Sequence, residues 1–258
     1  MIFESHAHYE SEQFDEDRES LLASFKENNI GCVVNVASNL AATKASLELA
    51  DKYPWIYASV GVHPSDVAEL SEEGLKWLYE MCAHEKCVAV GEIGLDYYWD
   101  KEADVQEKQR FWFRKQIQMA KDKQLPIIVH SRDAAKDTMD IIKDTDAAST
   151  GGVIHCFSNS LEFAKLYVDM GFYIGIGGVV TFKNAKTLKE VAAWTPLERI
   201  LLETDCPYLA PVPNRGKRNS SLNLIYVAQT IAELKGISVD EVIEQTWKNA
   251  MRMYRIEG

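Results

Sequence analysis

Short runs rich in β-forming residues alternate with amphipathic stretches along the whole chain, and this alternation limits the possible folds more than any other feature. Strands and helices in strict alternation are typical of parallel βα units. We identify eight β-rich runs, at residues 2–8, 32–36, 56–63, 88–93, 126–130, 153–157, 172–177 and 200–205. A chain of 258 residues matches the roughly 250 residues of a (β/α)8 TIM barrel, so we predict one such domain over residues 1–258.

Two of the intervening stretches predict long helices, at residues 105–123 and from residue 238 to about residue 255. In the first, Phe111, Lys115 and Met119 recur at four-residue steps, which is the spacing of one helix face. No linker, low-complexity tract or internal repeat divides the chain.

Polar residues lie at the C-terminal ends of most of the predicted strands. They are Asn35, His63, Glu92, His130, His155 and Asp205, and the first strand carries His6 and His8. In a barrel these strand ends meet at one mouth, where enzymes of this fold keep their catalytic groups. A single histidine in an apolar strand is more often a hydrogen-bonded structural residue than a ligand. Many ionisable groups in one cavity are costly unless they are paired or bind a cation, so we predict a metal site.

The predicted ligands are nitrogen and oxygen donors. The full set is His6, His8, Glu92, His130, His155 and Asp205. Such donors suit Mg, Mn, Zn or similar divalent ions. Six ligands exceed what one catalytic ion with an open position needs, so we predict two divalent ions with Glu92 as the bridge. Two ions of this kind suit hydrolysis of a phosphate ester, and by hypothesis Asp205 also accepts the proton of the attacking water.

Residues next to these ligands have less specific interpretations. Glu203 shares the face of Asp205 one layer deeper, where it either orients a ligand from behind or forms an internal ion pair. Cys156 and Cys206 directly follow predicted ligands, and strand alternation points their side chains away from the pocket. The five cysteines show no C-x-x-C spacing, which indicates free thiols in a reduced compartment.

Composition bears on the partners and the location of the protein. The net charge of -11 opposes nonspecific attraction to nucleic acid, because phosphate binding usually draws on a basic face. No apolar run approaches the ~18 residues of a membrane span, and the N-terminus has no signal-like pattern. We therefore expect a cytoplasmic protein without a membrane partner. The oligomeric state stays open, with a monomer as the default expectation.

Six segments carry a resemblance to a known family: ESHAHYESEQFDEDR, VGVHPSD, VGEIGLDYY, PIIVHSRDA, GVIHCFS and LLETDCPYLAP. In this order, and over nearly the whole chain, they resemble the TatD family of metal-dependent hydrolases. The resemblance implies an amidohydrolase-like TIM barrel and a divalent-metal-dependent deoxyribonuclease, with 3′ to 5′ exonuclease action on single-stranded DNA or DNA ends. It makes the six residues above metal ligands, with Glu92 as the bridge and Asp205 as the base. The segment Gly61-Val62-His63-Pro64 matches the family's GxHP, which implies that His63 contacts the scissile phosphate or its water network.

The chain departs from the family pattern at two places. Its first strand reads Glu4-Ser5-His6-Ala7-His8 where the family often has Asp-Thr-His-Cys-His, so both histidines are kept. The loop after the last strand lacks the family's acidic residue and proline and reads Arg215-Gly216-Lys217-Arg218-Asn219-Ser220-Ser221. The three basic residues of this loop either grip phosphates beside the metals or form a solvated turn.

Two further features bear on a nucleic-acid substrate. Arg132, two residues after His130, is another candidate phosphate contact. Tyr97, Tyr98 and Trp99 follow the fourth strand, and they either stack the bases of a single strand or pack the loop against a helix.

Three functions remain open on these residues. The first is a metal-dependent deoxyribonuclease. The second is an amidohydrolase or esterase acting on a small molecule or an aminoacyl ester of RNA, which the acidic charge favours. The third is a non-catalytic metal-binding barrel, which would require the loss of a ligand, and none is lost. No lysine is placed at a strand end for carbamylation, a feature of many binuclear amidohydrolases, and this favours phosphoester cleavage.

Overall fold

A computed structural model describes residues 1–257 and places eight strands in one parallel sheet, ordered along the chain from β1 to β8. The strands are β1 Ile2–Ala7, β2 Ile30–Asn35, β3 Ile56–Val60, β4 Cys87–Asp96, β5 Ile127–Arg132, β6 Gly152–Ile154, β7 Tyr173–Ile176 and β8 Ile200–Leu202. The first and last strands approach each other at a bridge between Ala7 and Cys206, and the His8 amide donates to the Cys206 carbonyl at 2.9 Å. The predicted (β/α)8 barrel is confirmed.

Helices connect the strands and cover the outside of the barrel. They are α1 Arg18–Ala23, α2 Leu40–Lys52, α3 Glu72–Met81, α4 Ala103–Lys123, α5 Ala135–Asp144, α6 Leu161–Asp169, α7 Lys186–Trp194, α8 Leu224–Lys235 and α9 Val239–Tyr254. Side-chain caps begin several of them, as in α9, where Ser238 and Glu241 form a capping box. None of the helices within residues 1–257 is long and apolar enough to cross a membrane.

The buried face of α4 is not the one that the four-residue spacing predicted. Of the predicted stripe only Met119 is buried, whereas the Phe111 side chain is 46% exposed. Trp112, Phe113 and Ile117 face the core instead. The spacing was ambiguous because aromatic residues occupy three successive positions in this helix, and only packing against the barrel selects among them.

Several strands end earlier or later than predicted. β3, β6 and β8 end at Val60, Ile154 and Leu202, so His63, His155 and Asp205 lie in the loops just beyond them. β4 extends to Asp96, three residues beyond its predicted end. Cys156 and Asp205 have φ of 44° and 56°, a left-handed conformation that turns the chain out of the strand direction. Periodicity does not detect such a turn, since the residues involved are not glycines.

An apolar cluster fills the end of the barrel opposite the predicted site. It includes Phe3, Ile128 and Leu201, the second residues of their strands, together with Met253 and Tyr254 of α9. The Tyr254 hydroxyl donates to the Ser5 carbonyl at 2.7 Å, which ties α9 to β1. Because this end is closed by apolar side chains, the polar groups are confined to the mouth formed by the C-terminal strand ends.

Candidate metal centre

The structure brings all six predicted ligands together at the mouth of the barrel. His6 lies in β1, Glu92 in β4 and His130 in β5. His8 directly follows β1, His155 directly follows β6, and Asp205 lies three residues after the end of β8. His6, His8, Glu92 and His155 are buried, and the side chains of His130 and Asp205 are 17% and 19% exposed. All of them except His6 line a cavity of about 840 Å³, which we call the main cavity.

Glu92 lies at the centre of this group, and its two oxygens face different histidines. Oε2 lies 3.4 Å from His6 Nε2 and 3.9 Å from His8 Nε2. Oε1 lies 2.8 Å from His130 Nδ1, 3.6 Å from His155 Nε2 and 3.7 Å from His63 Nε2. One carboxylate therefore joins two sets of imidazoles, which is the arrangement that a bridging ligand requires.

The first set converges on one point. The Nε2 atoms of His6 and His8 are 3.2 Å apart, and Asp205 Oδ1 lies 3.3 Å from His8 Nε2 and 3.8 Å from His6 Nε2. His8 Nδ1 lies 2.8 Å from the Val36 carbonyl, which only accepts, so Nδ1 carries a proton. In the neutral ring Nε2 then offers its lone pair to the cavity, as a metal ligand must.

Opposed charges determine the protonation of this cluster. Burial alone would raise the pKa of Glu92, but the surrounding imidazoles, with His155 the largest contributor, hold that pKa well below its usual value. Burial opposes the charge on His155, yet the carboxylates of Glu203 and Glu92 raise its pKa to about 9. The carboxylates thus favour positive charge at the cluster, and a divalent ion supplies such charge. The donor set and its electrostatics both fit a cation.

The ring of His63 is held neutral, in contrast to His8, His130 and His155, whose pKa values are raised. Burial is the main cause that lowers its pKa to about 4. The Ser65 amide donates to His63 Nδ1 at 3.1 Å, so the neutral ring carries its proton on Nε2. Nε2 is also the atom that faces Glu92 in the cluster. His63 can therefore donate a hydrogen bond inside the main cavity, as a contact to a phosphoryl oxygen requires.

Glu203, for which the sequence left two roles open, lies behind the ring of His155. Its Oε1 accepts from the Cys156 amide at 2.6 Å and lies 3.2 Å from His155 Nδ1, an ion-pair contact without hydrogen-bond angles. Within residues 1–257, Glu203 Oε2 has no hydrogen-bond partner. Cys156 corrects a prediction, since it lines the main cavity instead of pointing away from it. Burial raises the pKa of the Cys156 thiol well above its usual value, which keeps the thiol protonated.

Asp96 is a part of the site that the sequence reasoning missed. Its Oδ2 lies 3.1 Å from His130 Nε2, and its Oδ1 accepts from the amides of Tyr98 and Trp99 at 3.0 and 3.3 Å. Burial would raise the pKa of Asp96, but the hydrogen bond from His130 lowers it below its usual value. Asp96 lies four positions after Glu92, a spacing that places both on one face of a continuous strand. The predicted strand ended at Ile93, so this spacing was not considered.

Glu4 was also missed, although its neighbours His6 and Asp205 were identified. It is fully buried and accepts from the Thr204 amide at 2.9 Å, the Thr204 hydroxyl at 2.6 Å and the Ser221 hydroxyl at 2.9 Å. Burial raises the pKa of Glu4 to about 7. These bonds join β1 to the loop that carries Asp205. Sequence spacing could not reveal this contact, since Glu4 and Thr204 are 200 positions apart.

The predicted phosphate contacts occupy different environments. Arg132 lines the main cavity and is the only arginine or lysine to do so in the described part of the chain. Arg218 forms a bidentate pair with Asp17, with distances of 2.8 and 2.5 Å, so a phosphate would have to displace a carboxylate there. The Arg215 guanidinium lies 4.4 Å from the centre of the Phe182 ring, and Lys217 is exposed. Neither these two nor Arg218 lines the main cavity, and their contact with substrate stays a prediction.

The aromatic residues after β4 have two different roles in the fold. Tyr97 is half-buried, and its hydroxyl donates to Asp137 at 2.8 Å, so it packs the loop against α5. Tyr98 and Trp99 are 43% and 68% exposed. Packing of the loop against α5 therefore explains the position of Tyr97 but not the exposed positions of Tyr98 and Trp99.

Comparison with known proteins agrees with this architecture. Residues 3–255 match the model of the family described as TatD related DNase. The chain is 45% identical over 257 residues to an uncharacterized metal-dependent hydrolase, YabD, of Bacillus subtilis (strain 168), covering 99% of this chain and 100% of that protein. It is 36% identical to the uncharacterized metal-dependent hydrolase YcfH of Escherichia coli (strain K12), covering 100% and 97%.

A solved structure gives the same result at the level of the fold. The TatD homologue YjjV from Escherichia coli K12 superposes with a TM-score of 0.93 at 31% identity, covering 99% of this chain and 98% of that one. Sequence and fold agree over nearly the full length, and the candidate ligands cluster at the mouth. The chain thus belongs to the TatD related DNase family and is a metal-dependent hydrolase.

Proposed function

We propose that the protein is a deoxyribonuclease that hydrolyses phosphodiester bonds at single-stranded DNA ends, in the manner of a 3′–5′ exonuclease, with two divalent ions. The observation that carries the proposal is the division of contacts at Glu92, whose two oxygens face two separate sets of imidazoles. A pair of ions joined in this way matches in-line displacement at a phosphate, where attacking and leaving oxygens both need stabilisation.

The residues around Glu92 divide between the two proposed ions. His6, His8, Asp205 and Glu92 Oε2 would hold one, and His130, His155 and Glu92 Oε1 would hold the other. When bound, Mg, Mn or Zn ions would polarise a phosphoryl oxygen and lower the pKa of a water toward neutrality.

The chain's own groups supply the rest of the chemistry. Asp205 is the proposed base, because it lines the cavity and its partly exposed carboxylate can accept a proton. His63 would donate from Nε2 to a phosphoryl oxygen, since its Nδ1 is already occupied by the Ser65 amide. Arg132 would bind a second phosphate oxygen or the next phosphate along the strand. Glu203, in contact with the ring of His155, would hold that imidazole in place from behind.

A second candidate function keeps the metals and changes the bond. Glu10 and Glu12 line the main cavity, and their charge disfavours a polyanion. This favours a small ester or amide over any nucleic-acid substrate, including the aminoacyl ester of RNA that the sequence left open. Against it, the cavity lining within residues 1–257 includes no lysine that could be carbamylated to bridge two ions.

One experiment separates the candidates. The purified protein is stripped with a chelator, reloaded with Mg, Mn or Zn, and incubated with single-stranded oligonucleotides labelled at either end and with small esters and amides. We expect metal-dependent shortening from the 3′ end and about two ions per chain by elemental analysis, with Glu92→Gln retaining less metal. Cleavage confined to small esters or amides would support the second function instead. Bound metal without any hydrolysis would leave a non-catalytic barrel.

A further inference from the structure

Tyr98 and Trp99 form an exposed aromatic surface beside the candidate metal centre. Their rings meet edge to face, with centroids 4.7 Å apart and an interplanar angle of 86°. Large aromatic side chains this exposed are expensive to leave in water, and Tyr and Trp in such positions commonly mark binding surfaces. Neither ring contributes to the core clusters of the fold.

Arg132 connects this surface to the main cavity. Its guanidinium lies 3.8 Å from the centre of the Tyr98 ring and 5.6 Å from that of Trp99, a cation–π arrangement. In residues 1–257 no carboxylate forms a salt bridge with it, unlike Arg218 or Arg110. The guanidinium therefore keeps its donors for a ligand while its face is held by the aromatic rings. We call Tyr98, Trp99 and Arg132 the aromatic platform.

Asp96 fixes the aromatic platform relative to the reacting centre. One of its oxygens accepts from the Tyr98 and Trp99 amides, and the other contacts the ring of His130, a candidate metal ligand. Arg132 lies two residues after His130 on β5, and the Tyr97 amide donates to the Arg132 carbonyl at 2.9 Å. The platform and the candidate metal centre thus share one carboxylate and one strand, which hold the backbone of the platform beside the centre.

We propose that the aromatic platform is a nucleobase subsite, an inference that rests on the function proposed above. An unpaired base stacks on the Trp99 ring, with Tyr98 at the edge of that ring, while Arg132 binds the phosphate next to it. A stacking surface accepts any base, because each has a π-face. A base inside a duplex has both faces covered by its neighbours, so the subsite selects single-stranded or frayed ends over intact duplex. No reading of base edges is involved.

The test measures base-dependent binding without requiring cleavage. Deoxyadenosine monophosphate and deoxyribose 5-phosphate contain no phosphodiester bond, so neither is a substrate for the proposed cleavage. We expect the metal-loaded protein to bind the nucleotide about tenfold more tightly than the sugar phosphate, and Trp99→Ala to abolish that difference. Arg132→Ala should weaken both ligands alike, because it removes a phosphate contact. Tyr79→Ala, which removes a 42% exposed aromatic side chain from α3, is the matched control and should keep the preference.

Hydrolysis provides the second measurement. Trp99→Ala should lower kcat/KM for a single-stranded oligonucleotide by about tenfold, and should leave cleavage of a strand with abasic 3′-terminal residues unchanged. Equal base preference in the parent and Trp99→Ala, or none in the parent, would overturn the subsite. If DNA is cleaved but Trp99→Ala does not change the preference for a ligand with a base, the subsite is refuted and the proposed function is retained. If DNA is not cleaved but Trp99→Ala abolishes the preference for a ligand with a base, the proposed function is refuted and the subsite is retained.

Discussion

Asp205→Asn tests the proposed base with little disturbance of the fold. The two side chains have the same shape, and asparagine tolerates the left-handed conformation that Asp205 adopts at φ 56°. The substitution removes the negative charge that faces His8 and the ability to accept a proton. Folding and backbone geometry should therefore be conserved while the chemistry is lost.

The size of the effect follows from the role that the structure supports. General-base catalysis by a positioned group contributes about 10²- to 10⁴-fold, so kcat should fall by that factor, equivalent to about 3–5 kcal/mol in the activation barrier. KM should change much less, because Arg132 and His63 remain to bind the substrate. The assay is steady-state hydrolysis of a labelled single-stranded oligonucleotide, with the metal content of each preparation measured.

Asp133→Asn is the matched control. Asp133 also follows a strand and adopts a left-handed conformation at φ 53°, but its side chain is exposed outside the main cavity. The same chemical change there should leave kcat within about twofold of the parent. If metal-loaded Asp205→Asn also retains the parent's kcat, another group accepts the proton and the assignment of Asp205 is wrong.

Two other predictions concern stability. A Cβ at Gly175 would overlap Glu203 Oε2, whereas one at Gly177 keeps 3.4 Å from its nearest neighbour. Gly175→Ala should lower the free energy of unfolding by about 1–3 kcal/mol and Gly177→Ala by less than about 0.5 kcal/mol, and coincident urea midpoints would contradict this. Burial raises the pKa of Cys32 from 9.0 to about 12. The folded state thus favours the protonated thiol of Cys32. The resulting contribution to the free energy of unfolding is complete below pH 9.0 and is lost as the pH rises toward 12. The slope is at most about 1.4 kcal/mol per pH unit, and thermal melts in which Cys32→Ala is as pH-sensitive as the parent would refute it.

The barrel and the six candidate ligands could be predicted from local pattern. Eight β-rich runs identify parallel units, and polar residues at the ends of those runs must meet once the strands are parallel and closed. His6 and His8 were recognisable because two strand positions bring them to one face. The motifs around Glu92 and Asp205 added the resemblance to the family and its implied roles.

Features that depend on the exact ends of strands were not predictable. Asp96 was missed because an apolar run cannot show how far a strand continues once polar residues begin. Cys156 was assigned to the wrong side because a left-handed residue reverses the alternation on which that assignment rested. The predicted buried face of α4 was wrong for a different reason. More than one face of this helix carries apolar residues, and the surface against which the helix packs decides which face is buried.

Local pattern is thus enough to identify the kind of barrel and the residue types that gather at its mouth, because both follow from the chemistry of neighbouring positions. Closure of the barrel decides which atoms meet: that Glu92 faces separate imidazoles with each oxygen, that Glu4 holds the loop of Asp205, and that Asp17 neutralises Arg218. These contacts join residues as many as 201 positions apart. A short-range pattern in the sequence carries no information about which of such distant residues meet.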